Sequence, residues 1–140
     1  MDPLTSLTAV SQATERVGLI GTASTSFNEP YLLLARQLKT MDVVSHGRVG
    51  RNAVPSYEPD AFANAGRQLP PREQKYERLH EALQVVHALW ESWGREAGRP
   101  DQGGMFTDPA HTRPVNLRGE HVASRGPLPS RPPSRANRLS

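Results

Sequence analysis

The sequence predicts an α/β fold built on a parallel sheet, and two observations carry that expectation. The first is the stretch from Val17 to Val54, which reads strand, turn, helix, turn, strand: VGLIGTAS, TSFNEP, YLLLARQLKTMD, VVSHG, RVGRNAV. A helix lying between two strands excludes a hairpin, so the strands run parallel, and the crossover is expected to be right-handed. The second is Arg72–Trp93, where Tyr76, Leu79, Leu83, Val86, Leu89/Trp90 and Trp93 recur at helical spacing before Gly94. That is a long amphipathic helix with a glycine stop.

The remaining elements follow in order. Asp2-Pro3 ahead of Leu4, Leu7, Val10 and Ala13 predicts a short helix capped by Asp2 and ending near Glu15-Arg16. Val17-Gly-Leu-Ile-Gly is short and wholly apolar, the pattern of a buried central strand. Asn28 is a candidate cap for the next helix, with Pro30 in its first turn and Tyr31, Leu34, Ala35, Leu38 and Met41 on its buried face. Ser45-His46-Gly47 is a turn, Arg48–Val54 a strand ended by Pro55, and residues 55–71 a long loop with one helical turn near Asp60–Ala65. A loop of that length inside a compact unit is usually functional. Val115–Gly126 reads as a small hairpin turning at Arg118-Gly119, after an irregular excursion through GREAGRPDQGGMFTDPAHTRP.

Helix, strand, helix, strand, helix amounts to two βα units preceded by a helix without a strand of its own. A complete (β/α)8 barrel takes about 250 residues. The 140-residue chain therefore reads as an incomplete segment of a TIM-type barrel over residues 1–126, followed by a low-complexity Pro/Arg/Ser tail over 127–140 to which no structure is assigned.

Composition narrows the function classes. The apolar share of 36% is concentrated before Trp93. The net charge of +3 comes from the tail, since Arg125, Arg131, Arg135 and Arg138 follow Glu120 without an acidic residue and leave residues 1–124 at −1. No aromatic residue is interleaved with those arginines, which argues against a nucleic-acid partner. There is no cysteine, and the five histidines form neither HxxxH nor HExxH, so no metal site is expected. Nucleophile-elbow, dinucleotide-binding and phosphate-loop signatures are also absent. No signal-like or membrane-length apolar run occurs, and a soluble cytoplasmic protein is the expectation.

Polar residues at the carboxyl ends of parallel strands share one edge of the sheet, where α/β proteins place ligands. Here these are Thr22, Ser24, Thr25 and Asn52. A turn-capping hydroxyl is the plain alternative for Thr22, a turn-forming amide for Asn52. Tyr76 falls on the apolar stripe, where a core aromatic competes with a ligand contact, and Arg72 is either a solvated loop arginine or a donor to an anion.

ATERVGLIGTASTSFNEPY, LARQLKTMDVVSHGRVGRNAV, LPPREQKYERLHEALQVVHALWESW and FTDPAH with PVNLRGEHVASRGPLP occur in that order. Over about residues 2–129 they resemble the bacterial-luciferase-like flavin monooxygenases, in the branch of nitrilotriacetate monooxygenase, dibenzothiophene-sulfone monooxygenase and the pristinamycin IIA synthase subunit. The resemblance implies a barrel that binds FMN, as FMNH2 supplied by a separate flavin reductase, and uses dioxygen to oxidise an organic small molecule. It implies a homo-oligomer in the full-length family. Carried over to this chain, the flavin contacts are Thr22 (with Thr25 as the nearby alternative), Asn52 and Tyr76, and Arg72 aligns where relatives have a His; the catalytic residues are not identified.

Departures from the family pattern are Arg51 where relatives have Trp, Arg72 itself, one extra residue in YLLLARQL, and RPPSRANRLS after PLP. The extra residue is expected to rotate the upstream part of its helix by about 100°. The expectation that follows is a fragment of a two-component monooxygenase, inactive alone. Its alternative is a non-catalytic remnant associating through an open sheet edge.

Overall fold

The computed structural model describes residues 1–94 and 109–129, except the side chain of Leu32. Helix α1 spans Pro3–Ala13, strand β1 Leu19–Ser24, a π-helical segment Pro30–Ala35, helix α2 Arg36–Val44, strand β2 Val49–Val54, helix α3 Pro59–Asn64 and helix α4 Arg72–Trp90. A 3-10 turn, Pro109–His111, precedes strands β3 (Leu117–Arg118) and β4 (Ala123–Ser124). The fold is α/β with two open two-stranded sheets. β1 and β2 pair in parallel from Leu19 opposite Val49 to Ser24 opposite Val54, as the βαβ reading requires. β3 and β4 form a hairpin, but Arg118 is paired with Ala123 inside it and the chain turns through residues 119–122 rather than at Arg118-Gly119, closed by the Gly119 N–H on the Val122 carbonyl at 2.9 Å.

Helix α1 is capped by Asp2, whose carboxylate accepts from Thr5 N–H at 2.7 Å, but it ends at Ala13 rather than near Glu15-Arg16. The reason is Arg48. Its guanidinium donates to the Ser11 carbonyl at 2.7 Å, Thr14 Oγ1 at 3.0 Å, the Val17 carbonyl at 3.1 Å and the Ser45 carbonyl at 2.8 Å. One side chain just before β2 thus satisfies the Ser11 carbonyl in the last turn of α1 and holds the connection into β1 through Thr14 and Val17.

The first strand begins two residues later than the apolar run suggests and is not buried on both faces. Leu19, Gly21 and Ala23 are buried, while Ile20 is 69% exposed and Val17 55%. Period-2 geometry sends these residues to opposite faces. Helix α1 packs closely on one face, where a Cβ on Gly21 would lie 2.5 Å from the Leu4 side chain, and Ile20 projects from the other.

The segment after Pro30 opens as π-helix rather than α-helix. Leu34 N–H bonds to the Glu29 carbonyl five residues back at 3.2 Å. Such a turn takes up one more residue than an α-turn, so one additional residue here would be absorbed locally and need not rotate the helix against its core. Leu34, Ala35, Leu38 and Met41 are buried as expected, with Tyr31 packed at their edge. Trp90 Nε1 donates to the Ala35 carbonyl at 3.0 Å, where the π-turn gives way to α2. The side-chain acceptor at this helix start is Glu29 rather than Asn28: Glu29 Oε1 accepts from Tyr31 N–H at 3.0 Å, while Asn28 Nδ2 donates back to the Ser24 carbonyl at 2.9 Å.

Helix α2 ends in a Schellman turn, with Gly47 N–H on the Asp42 carbonyl at 2.8 Å, His46 N–H on the Val43 carbonyl at 3.2 Å and His46 at φ 57°. Helix α4 stops at Trp90, three residues before the predicted Trp93. Ala82, Val85, Val86, Leu89 and Trp90 form its buried face, while Leu79 and Leu83 are only half-buried. Leu128, assigned by composition to the tail, is 1% exposed and lies in the core. Residues 130–140 and most of the excursion after Gly94 lie outside the described residues.

Removing Arg48 strands carbonyls of α1 and the α1–β1 connection together. Arg48→Ala is expected to destabilise the chain by about 1.5–3 kcal/mol, the scale of a charge-assisted bond, with Arg48→Lys recovering only part because an ammonium cannot span the same acceptors. Denaturant midpoints of the three proteins measure this, and an unchanged midpoint in Arg48→Ala would contradict it.

Candidate functional site

In a parallel pair, residues in register share a face. Ile20 with Gly50, and Thr22 with Asn52, therefore project from the face that α1 does not cover. Asn52 Nδ2 donates to Thr22 Oγ1 at 3.3 Å, and both residues are exposed. Thr22 also forms part of the wall of a pocket of about 670 Å3, with the post-β2 loop Val54–Glu58 and Ala61 on one side and Arg72, Lys75 and Tyr76 from the first turns of α4 on the other. Of the four predicted site residues, three line this pocket, and Asn52 is tied to it through Thr22.

Tyr76 is 50% exposed, so it is not a core aromatic. It precedes Val85 by two and a half helical turns, about 180° of rotation, which places it opposite the buried face. The Arg72 guanidinium carbon lies 5.6 Å from its ring centroid, one turn away. Thr25, the alternative to Thr22, is fully buried: its Oγ1 donates to the Val54 carbonyl at 3.4 Å and its own carbonyl accepts from Arg78 Nε at 2.9 Å. Thr25 is structural, and it fixes the end of β1 against α4.

Lys75 and Ser56 are among the pocket residues not singled out from the sequence. Lys75 is 8% exposed and donates from Nζ to the Ser56 carbonyl at 3.0 Å. Ser56 has φ 45° and donates from Oγ to Ser24 Oγ at 2.7 Å. A signal for Lys75 was present, since it lies one heptad before Ala82 and two before Leu89 and so extends the buried stripe with a cation.

Arg51 occupies the adjacent register position and therefore points away from Asn52. Its guanidinium lies 5.1 Å from the Trp90 ring centroid and donates to His87 Nε2 at 2.6 Å, and burial pushes its proton affinity down. The His87 ring stacks on Trp90 at 5.9 Å. Since Arg51 only donates, Nε2 is the acceptor and the imidazole proton sits on Nδ1. Arg51 thus belongs to the helix layer and is not among the residues that line the pocket.

Glu81 holds the hairpin. Its carboxylate accepts from the backbone N–H groups of Glu120, His121 and Val122 at 2.9, 2.7 and 3.0 Å. Desolvation opposes ionisation, yet these donors outweigh it and keep the carboxyl below its usual range. Arg78 reaches the His121 carbonyl at 3.0 Å from the same helix. Among the described residues no three acidic or histidine side chains group to hold a metal ion, and no helix is long and apolar enough to cross a membrane.

The chain as a whole has counterparts among known proteins. The family model of luciferase-like monooxygenases matches residues 1–137, and the chain belongs to that family. The N-acetyl-S-(2-succino)cysteine monooxygenase of Bacillus subtilis is 38% identical over 129 residues, covering 91% of this chain and 29% of that protein. The dimethyl-sulfide monooxygenase of Hyphomicrobium sulfonivorans is 38% identical over 140 residues, covering 94% and 29%. A riboflavin lyase crystallised with modified FMN and riboflavin superposes with a TM-score of 0.88 at 28% identity, covering 96% of this chain and 30% of that one. The chain spans about 29% of the length of the curated relatives it matches.

His87 gives the fold a pH dependence. Burial, and then the neighbouring Arg51 cation, hold its imidazole below the ordinary 6.5, with Glu91 acting weakly the other way. A depressed histidine binds its proton more readily when unfolded, so its stabilising contribution is complete above 6.5 and is lost as pH falls through that value toward the folded one. Thermal midpoints measured from ~pH 8 down to ~pH 5 should fall further in the wild type than in His87→Gln. Parallel curves would contradict it.

Proposed function

We propose that the described elements are a segment of a TIM-type barrel and that the pocket is this segment's share of an FMN site in a two-component monooxygenase. The observation that carries the reading is the Thr22–Asn52 pair. It sits in register on the uncovered sheet face and connects to a pocket whose far wall holds Arg72, Lys75 and Tyr76. The donor set fits the cofactor. The Asn52 amide, spending one N–H on Thr22, keeps a second N–H and its carbonyl for a ring that both donates and accepts. The Arg72 cation and the Tyr76 phenol suit a phosphate monoester. When bound, reduced flavin supplies the electrons that activate dioxygen for insertion of one oxygen atom into an organic substrate. This chain's residues bind and orient it: Thr22 and Asn52 at the ring, Tyr76 and Arg72 toward the phosphate. A flavin reductase that supplies FMNH2, an organic sulfur or nitrogen compound as substrate, a cytoplasmic setting and homo-oligomeric assembly complete the proposal.

Only part of such a site lies on these elements, so FMN is expected to bind the 140-residue chain weakly. In a full-length family member, substitutions aligned with Thr22→Ala and Tyr76→Phe should each weaken FMN binding by about 0.5–1.5 kcal/mol, one hydrogen bond, and more where the contact is to phosphate. Unchanged affinity in both, measured by calorimetric titration, would overturn the assignment.

A second reading is favoured by the bare face of the β1–β2 sheet, where Ile20 is 69% exposed. Under it the chain acts as an interaction segment that associates through this face and its open strand edges. Both readings predict that the chain alone is oligomeric or incompletely ordered, with α4 its most persistent element. A monodisperse monomer by size exclusion, with cooperative unfolding by circular dichroism, would show that the chain completes its own core.

A further inference from the structure

The turn after β2 is held by more bonds than a connection requires. Ser56 occupies the left-handed region at φ 45°, a conformation that non-glycine residues adopt at a cost and retain only when their surroundings impose it. Two bonds impose it here: Ser56 Oγ donates to Ser24 Oγ at 2.7 Å, and the Ser56 carbonyl accepts from Lys75 Nζ at 3.0 Å. Lys75 is 8% exposed, and burying an ammonium is itself unfavourable unless the charge is used.

These bonds position Tyr57. It follows Ser56 directly, is 76% exposed, and its hydroxyl has no hydrogen-bond partner among the described residues. It lines the same pocket as Arg72 and Tyr76. A strained backbone and a buried cation that together hold a large aromatic side chain out of the core point to a contact made at that side chain.

We propose that Tyr57 is a ligand-contacting residue, its ring meeting a planar aromatic ligand that carries an anionic group and lies between it and the Arg72–Tyr76 wall, and that Lys75 is the positioning residue that holds the Ser56 turn. The inference rests on the flavin reading for the identity of that ligand, and it adds a second aromatic wall and its support to the site.

The chain has three tyrosines, and the third, Tyr31, packs against the core with its hydroxyl 3.4 Å from the Pro127 carbonyl. Incorporating 3-fluorotyrosine gives three fluorine resonances, with Tyr31 as an internal reference. Titration with FMN should shift Tyr57 and Tyr76 together and leave Tyr31 in place. Lys75→Gln should at least halve the response of Tyr57 while that of Tyr76 persists, and Ser56→Gly, which accepts the left-handed backbone without strain, should preserve both. A response at Tyr76 without one at Tyr57 overturns this inference and leaves the flavin reading standing. No response at either overturns both. An undiminished Tyr57 response in Lys75→Gln removes the role given to Lys75.

Discussion

The structure depends on the parallel register of β1 and β2. Placing Leu19 opposite Val49 fixes Thr22 opposite Asn52 three residues on, and the alternation of side chains does the rest. A slip of one residue would send Asn52 under the helices and bring Arg51 out on the face that carries Thr22. The register is secured at its start by Arg48, which ties α1 and its exit to the first residue before β2. It is secured at its end by Thr25, bonded through both N–H and Oγ1 to the Val54 carbonyl.

That register gives the sheet two chemically different faces. One carries Leu19, Ala23 and Val49 into the core with Leu38, Val86 and Leu89, and it takes the Arg51–His87–Trp90 cluster with it. The other carries a hydroxyl and an amide that are exposed and bonded to one another. Helix α4 serves both faces, since Trp90 at its end seals the π-turn while Tyr76 and Arg72 at its start turn to the pocket. A membership shared with monooxygenases of which this chain covers under a third is consistent with a site whose remaining walls lie on other elements.

The elements were legible because their signals are local. The helix between VGLIG and RVGRNAV dictated parallel strands, and the face Leu34, Ala35, Leu38 and Met41 followed from spacing alone. What was not legible depends on partners distant in sequence. VGLIG looks buried on both sides only if something covers Ile20, and the early end of α1 requires Arg48, which lies far along the chain. Tyr76 falls on the apolar stripe read from spacing, whereas the stripe that α4 buries runs through Lys75, Ala82 and Leu89 and leaves Tyr76 on the opposite face. Thr22, Asn52, Tyr76 and Arg72 came from motif positions; Ser56 and Lys75 did not, since a left-handed serine and a buried lysine have no motif.

In the proposed site, the uncovered face at Thr22–Asn52 and the first turns of α4 form a single ligand surface. Amide chemical-shift mapping of the chain with FMN tests it most directly. Perturbations are expected to cluster at Thr22, Asn52, Ser56–Glu58 and Arg72–Tyr76 and to leave the α1–α2 groove around Thr8 and Gln37 unmoved. Perturbations centred on that groove, or scattered over both faces of the sheet, would contradict it.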